Sequence, residues 1–166
     1  DRNAVTQVTW VYYATALVDL LRKDVDRALA KFDAASNSPD DWLAADAILH
    51  AAEIHAAAGR LEPAREALDY LLFSTKSAEG EVRALFLLAK LLRQIGDERK
   101  AEERLDVLVK RFPDSAPGLL VIRERTERAA AEEQARREAE EQARREAEEK
   151  AAAEANAGIG GTDGQR

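Results

Sequence analysis

Three helical signatures recur at a fixed distance along this chain of 166 residues, and that period restricts the fold more than any other feature. Ala28/Phe32/Ala35, Ala64/Leu68/Leu71 and Ala101/Leu105/Leu108 share one spacing, and their leading alanines stand 36 and 37 residues apart. Steps of four and three place each trio on one face of a helix. A chain breaker precedes each trio: Lys23-Asp24, Gly59 and Gly96-Asp97. Ahead of each breaker runs another stretch of helical periodicity. It is carried by Tyr12 and Ala16, then by Ile48, Ala51, Ala52 and His55, then by Leu85, Leu88, Ala89 and Leu92. A helix–turn–helix unit repeated at this period predicts a stack of helical hairpins, each burying its apolar face against its neighbours.

Punctuation and composition agree with an all-α fold. Pro113 after Phe112 ends the third unit, because proline cannot continue a helix and pushes its predecessor out of helical geometry. Pro63 falls in a first turn, where a missing N–H costs little. With only 8 Gly, 4 Pro and 5% aromatics, the chain lacks the turn residues that a sandwich or barrel requires.

The pattern Ala-x3-Phe/Leu-x2-Ala/Leu resembles the second helix of a tetratricopeptide repeat, and Leu85, Leu88-Ala89 and Leu92 match its first helix. Gly96-Asp97 and Pro113 complete the unit. The resemblance covers residues 9 to 115 and is closest in the third repeat. In the first, Thr15 and Asp19 depart from the pattern and Lys23 replaces the turn glycine; the second lacks a terminal proline. The period also exceeds the usual length of about 34. The resemblance implies a domain over 1–116 with repeats near 9–42, 45–81 and 82–115, wound as a short right-handed solenoid. Ala16, Ala52, Ala89 and Ala101 then let neighbouring helices approach closely.

It also implies a binding groove lined by the first helix of each hairpin. Carried over, the groove positions are Trp10, Tyr13 and Leu17, then Asp46, Leu49 and Glu53, then Arg83, Phe86, Lys90 and Arg93. An aromatic end facing a basic end suits an amphipathic or acidic-ended peptide. The carboxylate clamp of chaperone-binding relatives is not expected, because Tyr13 and Leu17 stand where it needs Lys and Asn.

After Ser115 the apolar residues Leu119, Leu120 and Ile122 predict a capping helix over 117–131 that covers the last hairpin. It runs into the octad EEQARREA at 132–139, repeated identically at 140–147 and in degraded form to 155. Glu132 with Arg136, Glu133 with Arg137, Glu140 with Arg144 and Glu141 with Arg145 pair at i,i+4 with Glu on the N-terminal side, the favourable order. The alanines recur every four residues, so their stripe turns by about 40° per step and makes no coiled-coil seam. The expectation is a solitary charged helix over 132–155, followed by a flexible tail over 156–166 and attached to a monomer or weak oligomer.

Charge, composition and motif spacing argue against several functions. A net charge of −7 argues against nucleic acid, which needs a basic stripe. The absence of cysteine removes disulfide scaffolds, Cys-ligated zinc and thiol catalysis. The uncharged run from Asn3 to Val18 is too short and too polar to span a membrane. His50 and His55 lie about 140° apart on a helix and do not grip one metal; His55 reads as a packing residue. Asp40-Asp41 before Trp42 reads as a helix N-cap. Gly158, Gly160 and Gly161 follow a helix rather than a strand, so they form no phosphate loop. No nucleophile–base–orienter set appears, and neither catalysis nor a cofactor is expected.

The segment AEERLDVLVKRFPDSAPGLLVI resembles repeats of bacterial cell-envelope proteins, through its Phe112-Pro113-Asp114-Ser115 step. Such proteins include the Tol-Pal cell-division coordinator, the outer-membrane assembly lipoprotein and the ancillary Sec translocon subunit. The chain starts at Asp1 and holds no Met, which reads as a segment removed before Asp1; in an envelope protein that segment would be a signal or membrane anchor. The expected function is a non-catalytic adaptor of the periplasm or envelope that binds a protein or peptide, with a cytoplasmic setting as the alternative. Membrane association would come only through the removed segment or a membrane-protein partner. The alternatives are a bridging subunit with the charged helix as spacer, and a soluble holdase.

Overall fold

The computed structural model describes residues 2–159. Among them the chain forms seven α-helices and no strand: α1 (Arg2–Leu21), α2 (Val25–Ser36), α3 (Asp41–Ala57), α4 (Leu61–Ser74), α5 (Ala78–Ile95), α6 (Glu98–Arg111) and α7 (Ala116–Ile159). Contacts divide the chain into two units, residues 1–122 and 123–166.

In the first unit α1/α2, α3/α4 and α5/α6 are three hairpins. All nine residues of the repeated trios are at most 3% exposed, which makes them the floor of the core. Ala28, Phe32 and Ala35 pack with Tyr13, Ala16 and Leu43. Ala64, Leu68 and Leu71 pack with Leu49, Ala52 and Leu88. Leu105 and Leu108 pack with Val82, Leu85 and Ala89. The first two trios therefore bridge their own hairpins to the next, and the third packs on α5 and on Val121 of α7.

The three hairpin turns share one backbone. Lys23, Gly59 and Gly96 have φ of 63°, 73° and 88°. Behind each, an N–H closes back over five residues at 2.9 Å: Asp24 to the Asp19 carbonyl, Arg60 to that of His55, Asp97 to that of Leu92. This is the glycine-favouring helix stop, and the first hairpin makes it with a lysine. Asp24 and Asp97 then cap the following helices by accepting from Arg27 N and Lys100 N. Asp40 caps α3, accepting from Trp42 N and Leu43 N, as expected.

The other departures of the first repeat are also accommodated. Asp19 is buried and takes an ion pair from Lys31 on α2. The Thr15 hydroxyl bonds back to the Val11 carbonyl at 2.8 Å within its own helix.

The expected capping residues differ. Ser115 starts α7, its Oγ accepting from Gly118 N at 3.1 Å. The side chain that covers the α5/α6 cluster is Val121, whereas Leu119, Leu120 and Ile122 are exposed. The close approach of Gly118 sets this register: a Cβ there would stand 2.3 Å from the Phe112 carbonyl oxygen. With that face against the preceding turn, Val121, three residues on, points inward.

In the second unit α7 is helical to Ile159, past the expected end at 155; residues 160–166 of the expected flexible tail lie outside the described residues. Its ion pairs follow the expected order only in part. Arg137 pairs with Glu133, and Arg145 with Glu141. Arg128, Arg136 and Arg144 instead reach forward to Glu132, Glu140 and Glu148. The period of eight is the reason. At every fourth position from 128 to 148 the charge alternates Arg, Glu, Arg, Glu, so each guanidinium has a carboxylate one turn away in both directions.

Candidate protein-docking groove

The first helices of the three hairpins, α1, α3 and α5, supply the predicted groove residues. On α3 a stripe of Trp42, Asp46, His50 and Glu53, spaced four, four and three, faces one way.

At one end, Trp10 of α1 stacks on Trp42, with ring centroids 5.8 Å apart and planes at 21°. Both rings stay near 40% exposed, so they form an open aromatic shelf. Tyr13 meets Trp10 edge-on at 5.9 Å and Phe32 at 5.8 Å. His50 stacks on Phe32 at 5.0 Å.

Next to the shelf a charge network ties the three helices together. Asp46 is buried, and its carboxylate accepts from the Tyr13 hydroxyl on α1 and from the Arg83 guanidinium on α5. The imidazole of His50 lies between two acids, Nε2 at 3.4 Å from Asp46 and Nδ1 at 3.6 Å from Glu53. The His50 contact, with the Tyr13 and Arg83 bonds, holds the Asp46 carboxyl well below the usual carboxylate range, against the effect of burial. His50 is pushed up to about 9 by its bonds to Asp46 and Glu53. Glu53 is lowered in turn, chiefly by His50. Burial, then the bond to Asp46, raises the Tyr13 phenol. At neutral pH the imidazole is therefore charged and the phenol neutral. The arrangement ties three helices together.

Not every carried-over position reaches the groove surface. Leu49 is 1% exposed and belongs to the core against Leu88, because α3 is covered on two sides by its neighbours. Leu17 packs against the first core cluster. Arg83 is committed to Asp46. Arg93 turns toward α6, 2.7 Å from Glu102 and 3.6 Å from Glu98, so it is not an open basic position. Phe86 is half-buried and carries the Lys90 ammonium over its ring at 5.8 Å. Two members of the face, Trp42 and His50, lie outside the set expected from the sequence. Their spacing to Asp46 on either side, four residues each way, is the signal that places them there.

His55 is half-buried, as a packing residue would be, but its Nδ1 has no hydrogen-bond partner among the described residues. Burial lowers its pKa. Among the described residues no group of His, Cys, Asp and Glu is placed to hold a metal, and no helix is long and apolar enough to cross a membrane.

Residues 83–115 match the tetratricopeptide repeat family model. This supports a tetratricopeptide repeat family, whose members mediate protein–protein interaction and are typically non-catalytic. No curated protein and no solved structure matches the chain.

Proposed function

We propose that this protein is a non-catalytic adaptor that engages a protein partner along the face formed by α1, α3 and α5. The observation that carries this reading is the half-exposed Trp10–Trp42 shelf set beside a fully partnered charge network. Large aromatic side chains left open to solvent on a rigid frame are what binding hot spots are made of, and the network supplies the rigidity. The bacterial cell envelope is the proposed setting, on the strength of the Phe112-Pro113-Asp114-Ser115 step alone.

A second reading, a bridging subunit that uses the charged helix as spacer, is favoured by the alternating Arg/Glu rows of α7. Truncation separates the two. An adaptor keeps its partner when the chain ends after residue 122 and loses it with Trp42→Ala plus Lys90→Glu. A spacer does the reverse, losing its assembly on truncation and tolerating the double variant.

A further inference from the structure

Where α3 and α4 meet α5, the positions Ala52, Ala56 and Ala64 contribute only methyl groups, and Leu68, Leu87 and Leu91 close around the space they leave. The result is a cavity of about 150 Å³ whose mouth carries Glu53 and Lys90. Its floor is core: Ala52, Ala64, Leu68 and Leu91 are each at most 3% exposed. An aliphatic cavity of this size accepts a guest about as large as benzene, which is the bulk of a leucine or phenylalanine side chain.

The charges at the mouth narrow the guest further. Arg83 is bound by Asp46, and Arg93 by Glu98 and Glu102. The charge of Glu53 is matched by His50 at 3.6 Å. Lys90 is different, since the contact that holds it is the Phe86 ring rather than a carboxylate. A cation poised over an aromatic face at the rim of an apolar hole is complementary to a carboxylate next to an apolar side chain.

We infer that this cavity receives one leucine- or phenylalanine-sized side chain of a partner peptide, while Lys90 takes an acidic residue adjacent to it in the peptide sequence. The inference rests on the proposal that the α1–α3–α5 face is the docking face, and it names the chemistry of what docks.

The test is a methyl and indole NMR titration of the full chain with three acetylated, amidated pentapeptides, DDLDD, DDADD and KKLKK. The expected result is saturable movement of the Ala56, Leu87 and Leu91 methyls with DDLDD, and binding at least tenfold weaker for each of the other two. Lys90→Glu reverses the order of DDLDD and KKLKK. Ala56→Leu, which fills the cavity, removes DDLDD binding; if that variant does not fold, the peptide series and Lys90→Glu decide alone. Equal binding of DDLDD and DDADD overturns the inference, as does unchanged affinity in folded Ala56→Leu. Movement confined to the Trp10 and Trp42 indoles overturns the cavity assignment while supporting the docking face. No saturable movement anywhere also overturns the cavity assignment, and the docking face is then decided by cross-linking with the natural partner.

Discussion

Asp46 is the residue on which the inner face depends, because one buried carboxylate collects donors from two other helices and from His50 on its own. Removing the charge leaves Arg83 without its counter-ion and His50 with Glu53 alone, so Asp46→Asn should be destabilising by several kcal/mol, about 3. His50 gives a finer test through pH. It is held at about 9, above its unfolded value of about 6.5. The stability it contributes is thus complete below pH 6.5 and is lost as the pH rises through 9. Asp46, held low, acts in the opposite sense: its contribution is complete above the unfolded pKa and is lost as pH falls through the folded one. Urea unfolding of wild type and His50→Gln should differ most near pH 6, with a pH-dependent part of at most about 3 kcal/mol that is gone by pH 10, where only the packing on Phe32 remains. A difference independent of pH would show that His50 acts by packing on Phe32 alone.

Lys23 adopts the left-handed conformation that Gly59 and Gly96 adopt in the other hairpins, and a side chain there costs about 1–2 kcal/mol. Lys23→Gly should raise stability, by about 0.5–1 kcal/mol after the added freedom of the unfolded chain is deducted. Gly96→Ala should lower it by about 1 kcal/mol, although a Cβ there meets nothing within 4 Å. Thermal unfolding of the two variants checks both signs. A peptide of residues 129–155 should be helical and monomeric, since its ion pairs are internal and its alanines form no seam. Its helicity should fall as acid protonates the glutamates; sedimentation as a dimer would contradict the solitary helix. The hairpins were legible because Ala28, Ala64 and Ala101 mark contacts that each repeat must remake, and their period survives the loss of a glycine at Lys23. The groove was less so. Helix α3 is buried on two sides, from Ala45 to Leu49 without interruption, so its periodicity does not reveal which side chains stay on the surface. Spacing alone therefore assigns Leu49 to the groove and leaves Trp42 out of it. The direction of Arg93 depends on Glu98 and Glu102 of another helix, which spacing along α5 does not contain.

The whole molecule joins two kinds of structure. Residues 1–122 have cores that link each hairpin to the next. Residues 123–154 expose nearly every side chain and hold their helix by rows of ion pairs. Burial in the first unit stabilises a surface that is then available for recognition, with the aromatic shelf at one end and Lys90 at the other. Whether a partner lies along this surface is decided by photo-cross-linking with benzoylphenylalanine in place of Trp10, Lys90, Phe73 or Glu138, one at a time in the full chain. Phe73 on α4 is 90% exposed and serves as the control away from the groove, and Glu138 as the control on the charged helix. A partner seated there gives one and the same adduct from positions 10 and 90 and none from 73 or 138. An adduct from 73 or 138, with 10 and 90 silent, would contradict it.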